Sequence, residues 1–149
     1  SHCYYGAKGR GYAGSTRMAG YTTKSISQNL TKNLNETTII AQIEDLEAID
    51  NLEQICQTPQ LDCLFIGRMD LTVALGETDA KSPKVRALVE KIVDTANKHN
   101  VTTGMFIGDL NELDDWLKKS VSLFLLGSDH SFMLSGARQL QQRFEEAAK

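Results

Sequence analysis

The sequence predicts an α/β fold with parallel strands, on two observations. Four short apolar runs, rich in β-branched residues, fall between positions 37 and 126, and each is followed by a longer segment whose apolar residues recur at helical spacing. Strict alternation of this kind joins the strands by right-handed helical crossovers, so the architecture is either an open doubly wound sheet or part of an eight-stranded barrel. Alternation alone leaves both open. With 149 residues, 41% of them hydrophobic and 23% charged, the composition suits one globular domain over residues 1–149.

Residues 1–36 form a lead-in rich in Gly, Tyr, Ser and Thr, without periodicity, and read as a long loop. The first strand is residues 37–43 (TTIIAQI), nearly continuous in apolarity as a strand buried on both faces should be, and it ends at Glu44. Leu46, Ile49, Leu52, Ile55 and Cys56 then stripe one helix, which Thr58 and Pro59 close before residues 61–66 (LDCLFI) form the second strand. Gly67 ends that strand. After Arg68, Met69 and Asp70 comes a brief helix over residues 71–75. Ser82 then caps a long helix with Pro83 at its first position, where the missing N–H has no partner to lose. Val85, Leu88, Val89, Ile92, Val93 and Ala96 make its apolar face. The third strand, residues 101–107, leads to Asp109, which with Glu112 has the spacing of a capping box; Leu110, Leu113, Trp116 and Leu117 face inward. The fourth strand, residues 121–126, ends in Gly127, Ser128 and Asp129, and Met133, Ala137, Leu140, Phe144 and Ala147 stripe the last helix.

Charge and hydropathy exclude two classes of partner. Lys and Arg total 16 against 19 Asp and Glu, a formal charge of -3, so no basic stripe offers a nucleic-acid surface. No apolar run is long enough to span a bilayer, and the first residues lack the charged-then-apolar pattern of a signal peptide, which points away from membranes. Cys3, Cys56 and Cys63 are odd in number and lack C-x-x-C spacing, so they read as reduced thiols in a cytoplasm, the latter two as small core side chains.

Two motifs carry candidate chemistry. Gly9 to Gly14 (GRGYAG) matches the dinucleotide fingerprint G-x-G-x-x-G, but no apolar strand precedes it and no amphipathic helix follows, so it reads as a loop. The strand ends are more informative, because parallel strand–helix folds collect functional groups there. Those ends carry Gln42 and Glu44, then Gly67, Arg68, Met69 and Asp70, then Ser128 and Asp129. Adjacent strands would bring Glu44 and Asp70 to one mouth, where two carboxylates suit a hard divalent cation. The competing reading makes Asp70 the N-cap of the helix at 71–75 and Glu44 a solvated turn residue. His130 and Arg17 also stand where they could reach the mouth.

Order and wording add to spacing. The run AQIEDLEAIDNLEQI followed by LDCLFIGRMDLTVALG resembles the HpcH/HpaI aldolase family, whose pattern is a Q-x-E strand end and a downstream F-I-G-P-x-D-L. The resemblance extends through Ser82 and Pro83, the GMFI strand, LFLLGSD and the opening GRGYAGSTRMAGY, so it covers nearly the whole chain.

The resemblance implies the C-terminal half, about four strand–helix units, of a TIM (β/α)8 barrel. It implies an aldolase in which Glu44 and Asp70 bind a divalent cation (Mg, Mn or Co) that chelates pyruvate. Gln42, Gly67, Arg68, Met69 and Ser128 are then the expected substrate-binding residues, and the substrates are a small keto acid and an aldehyde. Arg68 replaces the pattern's Pro, and a guanidinium beside Asp70 leads us to expect acceptors that carry a carboxylate. The family's catalytic Arg and His–Asp base belong to the first half of its barrel, so they are expected upstream of Ser1 and the base is unassigned within this chain. A homo-oligomer that shares its last helix is also implied. Two alternatives stay open: an acyl-thioester lyase of the citrate lyase or malyl thioester lyase type, and a non-catalytic module that binds metal or keto acid.

Overall fold

Four strands, β1 (Ile40–Ile43), β2 (Cys63–Ile66), β3 (Thr102–Phe106) and β4 (Val121–Leu125), form one sheet in that order in the computed structural model, which describes residues 2–149. β2–β3 and β3–β4 pair in parallel, and the Gly67 N–H donates to the Ile43 carbonyl (2.9 Å), which sets the C-terminal ends of β1 and β2 side by side. Sequence order therefore equals spatial order. The chain divides into two compact units, Ser1–Ile40 and Ala41–Lys149, with the boundary inside β1.

The second unit holds the sheet and its helices. Helix α5 (Pro83–Lys98) starts as its sequence demands, with the Ser82 hydroxyl accepting from the Val85 N–H and Pro83 in the first turn. Its predicted face is the centre of the core: Val85, Val89, Ile92, Val93 and Ala96 are fully buried with Leu64, Ile66, Met105 and Ile107. Burying side chains of this size stabilises by roughly 1.5–3 kcal/mol each. Alternation sends their strand neighbours to the opposite face, where Phe106 and Leu125, paired in register, remain half-exposed. β3 and β4 approach closely at Gly104, where the register shifts by a bulge; a Cβ there would lie 2.9 Å from both the Cβ and the carbonyl oxygen of Leu123.

Several expectations are corrected. β1, β2 and β3 start one to three residues later than their apolar runs, and β4 starts at Val121 as expected; β1 buries only Ile43 fully and is not a strand buried on both faces. The stripe at 46–56 is two short helices, α2 (Leu46–Asp50) and α3 (Leu52–Cys56), broken at Asn51, whose φ of -102° and ψ of 11° leave the helical region. Helix α4 (Arg68–Ala74) begins three residues early with Gly67 as N-cap, so Asp70 lies in its first turn and caps nothing. Asp109 does cap, accepting from the Asn111 N–H at the short 3-10 turn Leu110–Glu112 that precedes α6 (Leu113–Lys118), but the Glu112 side chain makes no reciprocal bond. Helix α7 (Asp129–Ala147) carries its stripe but buries no residue.

The first unit is less of a loop than expected. Helix α1 (Ile26–Glu36) opens with a capping box between Ser25 and Gln28. Its buried residues are polar. Asn29 donates to the Tyr12 hydroxyl (2.9 Å) and the Ala19 carbonyl, while Asn33 accepts from the Tyr5 N–H (3.1 Å) and donates to Thr37 (2.7 Å). Its apolar residues, Ile26, Leu30 and Leu34, recur at helical spacing but stay exposed, so the helix is held by its polar face. Residues 9–14 show neither strand before nor helix after, as the dinucleotide fingerprint would need.

Cys56 and Cys63 are buried and Cys3 is exposed. Burial pushes both buried thiols above their usual range, and the nearby Glu53 and Asp62 add to it, so they are core side chains in their chemistry too. No helix among the described residues is long and apolar enough to cross a membrane.

Candidate functional site

The site begins with a parity argument. Ile43 points into the core, so Gln42 and Glu44 leave β1 on the other face and on the same side as each other. They touch: the Gln42 amide donates to a Glu44 carboxylate oxygen at 2.6 Å. The bond between Gly67 and Ile43 draws the end of β2 alongside, and α4 turns Asp70 back over it.

Gly67 is what lets these groups meet. A Cβ at that position would lie 2.8 Å from the Glu44 Cβ, 3.2 Å from the Gln42 Nε2 and 3.3 Å from the Asp70 Oδ2. Its φ of -77° is available to any residue, so the glycine is required for space and not for conformation. Glu44, Asp70 and Gln42 therefore ring one small volume that a larger residue would fill.

An open cleft of about 410 Å³ extends from this point. Gln42, Gly67, Arg68, Met69 and Asp70 line one side. Phe106, Lys81, Asp109 and Glu112 line the other. The far wall is built of ion pairs. Arg68 directs both terminal guanidinium nitrogens at Glu112, and Lys81 reaches Asp109 at 2.7 Å and Glu112 at 3.6 Å. Burial pushes the Glu112 carboxyl upward, but the hydrogen bond and charge of Arg68, helped by the charge of Lys81, outweigh it and leave Glu112 below its usual range. The hydrogen bond and charge of Asp109 raise the Lys81 ammonium, and Asp109 is lowered in turn by Lys81 and the Asn111 N–H.

Of the residues singled out in the sequence, Glu44, Asp70, Gln42, Gly67, Arg68 and Met69 are brought together. Ser128 is not: it caps α7, accepting from the Ser131 N–H, and does not line the cleft. His130 is exposed beside Asp129 at the start of α7, and Arg17 lies in the first unit. Arg68 lines the cleft, yet its guanidinium is committed to Glu112 and does not stand free beside Asp70. Lys81, Asp109 and Glu112 escaped sequence reasoning as cleft residues. Asp109 was within reach of the strand-end rule that found Asp70, since it follows β3 by three residues. Glu112 was not, because its partner is 44 residues away in the chain.

The donor set suits a hard cation. Among the described residues no three His, Cys, Asp or Glu side chains converge as a closed metal cage. Two carboxylates with an amide beside them fit ions such as magnesium or manganese, which keep water or substrate oxygens in most positions.

Comparison with known proteins bears on what such a site belongs to. The sequence model described as HpcH/HpaI aldolase/citrate lyase matches residues 12–135. A hydroxypyruvate/pyruvate aldolase of Paraburkholderia phytofirmans is 34% identical over 134 residues, 89% of this chain and 51% of that protein. A 5-keto-4-deoxy-D-glucarate aldolase of Shigella sonnei is 28% identical over 142 residues, 95% of this chain and 54% of its own. Among solved structures, an HpcH/HpaI aldolase/citrate lyase family protein from Burkholderia cenocepacia superposes with a TM-score of 0.82 at 29% identity, over 91% of this chain and 52% of the other. The chain thus spans about half the length of the curated relatives it matches, and its sheet is a four-strand stretch of their TIM-barrel-type fold.

Proposed function

The chain belongs to the HpcH/HpaI aldolase/citrate lyase family, and from that premise we propose that it carries the metal- and keto-acid-binding half of a carbon–carbon lyase. The reaction is cleavage of a hydroxy keto acid to pyruvate and an aldehyde, or its reverse. The observation that carries the reading is the convergence of Glu44, Asp70 and Gln42 on the space beside Gly67.

Glu44 and Asp70 would hold a divalent cation, and such an ion supplies Lewis acidity toward negative charge developing on a keto acid's carbonyl oxygen. Gln42 already gives one amide hydrogen to Glu44, which fixes its side chain and leaves a second N–H to orient the substrate. The N–H of Gly67 is spent on Ile43, so the backbone donors left for a carboxylate are those of Arg68, Met69 and Asp70 in the first turn of α4, where no intrahelical acceptor exists. Phe106 gives the cleft an apolar wall that suits a methyl or methylene group. The base and the cation expected near the reacting oxygen are assigned to the part of the relatives' length that this chain does not cover. A volume of about 410 Å³ accommodates a small keto acid with a short aldehyde.

The test is calorimetric. Manganese and magnesium should bind the wild-type chain, and pyruvate should bind only in their presence. Glu44→Gln and Asp70→Asn should each weaken metal binding at least tenfold. Unchanged affinity in both variants would sink the assignment, and metal binding without any pyruvate binding would favour a non-catalytic module.

A further inference from the structure

Two cations face the cleft, and they are held very differently. The Arg68 and Glu112 side chains are only 13% and 18% exposed, and both terminal nitrogens of Arg68 are engaged. Breaking that pair would strand a charge in a mostly buried place. Lys81 and Asp109 are 55% and 36% exposed, and an ion pair so solvated is worth little and is readily shared. An ammonium has three donors; Asp109 takes one by a hydrogen bond, and Glu112 stands at ion-pair distance. The position of Lys81 is nonetheless fixed. Its own N–H donates to the Asp79 side chain (2.8 Å), the next N–H, of Ser82, to the Asp79 carbonyl (3.0 Å), and Lys84 ties the loop to Glu77 and the Leu75 carbonyl.

We infer that Lys81 is the specificity-determining residue of the cleft and reads a carboxylate at the far end of the substrate, while Arg68, which the sequence suggested for that task, serves only to hold the wall through Glu112. This deepens the function proposed above and rests on it: the keto acid's near end lies at Asp70 and Gln42, with Glu44 beside them at Gly67, and its distal end extends toward Lys81 along the cleft that Gln42, Asp70 and Lys81 line. Asp109 is the competing anion. It holds the ammonium in place when no substrate is present, and a substrate carboxylate takes a remaining donor beside it.

The experiment compares two keto acids, 2-oxobutyrate and 2-oxoglutarate, which share the near end and differ in a distal carboxylate. Binding to the full chain is measured by calorimetry with magnesium present. Wild type should bind 2-oxoglutarate about tenfold more tightly, the scale of one charge-assisted hydrogen bond. Lys81→Met should erase that preference and leave 2-oxobutyrate unchanged, whereas Asp109→Asn should enlarge it, because a repelling charge is removed. A purely structural role for Lys81 would move both ligands together. Equal binding of the two ligands to wild type, or a preference that survives in Lys81→Met, overturns the inference while the keto-acid site stands. Failure of wild type to bind either ligand overturns both readings.

Discussion

Glu44 and Gly67 are so close that the glycine's missing side chain defines the site: a Cβ at position 67 would lie 2.8 Å from the Glu44 Cβ, nearer than real Cβ contacts come. Because the Glu44 Cβ is the stem of that side chain and not its flexible end, it cannot swing aside.

Gly67→Ala is therefore expected to push Glu44 off its position and to crowd Gln42 and Asp70 at the same time. Metal affinity should fall more than tenfold, and stability by roughly 1–3 kcal/mol, the range for overpacking. Titration calorimetry and a denaturant melt measure the two separately. Full metal affinity in this variant would show that Glu44 and Asp70 do not depend on their closeness at Gly67.

Acid stability should report the Arg68 and Glu112 pair. The Glu112 carboxyl is lower in the folded protein than its ordinary value of 4.5, so it stabilises the fold above that pH and loses its contribution as pH falls through the lowered value. Glu112→Gln should cost on the order of 2 kcal/mol at pH 7, discounted from a fully buried pair because both groups keep some solvent. The gap between variant and wild type should begin to close near pH 4.5 and shrink further below it. Urea melts from pH 7 to pH 3 check this, and a gap independent of pH would contradict it.

Gly104→Ala tests the bulge between β3 and β4. The added methyl would meet the Leu123 carbonyl oxygen at 2.9 Å, and backbone cannot move away cheaply within a ladder. A loss of about 2 kcal/mol or more is expected by thermal or denaturant unfolding. Neutral behaviour would mean that the two strands are free to separate there.

The exposed side of α7 should govern association. Met133, Ala137, Leu140, Phe144 and Ala147 recur at alternating intervals of four and three, the seam that one helix offers another, and Met133 and Phe144 are 72% and 73% exposed. We propose that a second copy of the chain covers this seam. Sedimentation should show self-association that Met133→Glu with Phe144→Glu abolishes, with the melting temperature of the isolated chain unchanged because neither residue is buried in it. Association that persists in the double variant would place the interface elsewhere.

What the sequence determined by itself was much of what local period carries, though Leu110 and Leu117, expected to face inward with Leu113 and Trp116, are exposed. The buried face of α5 and the strand-end positions of Glu44 and Asp70 follow from apolar spacing read along a few neighbouring residues, because burial imposes the helical and strand periods on the chain directly. Cys56 and Cys63 were legible as core for the same reason. The face that helix α1 buries was not, since Ile26, Leu30 and Leu34 recur at helical spacing yet stay exposed, while the buried positions are Asn29 and Asn33, held by hydrogen bonds. Only the tertiary structure decided that Arg68 faces Glu112, that Lys81 stands over the cleft, and that Gly67 is glycine for the sake of Glu44. Each of these is a meeting of residues distant in sequence. Charge pairing and steric room act through space, so no spacing along the chain records which cation will be held in a wall and which stays solvated.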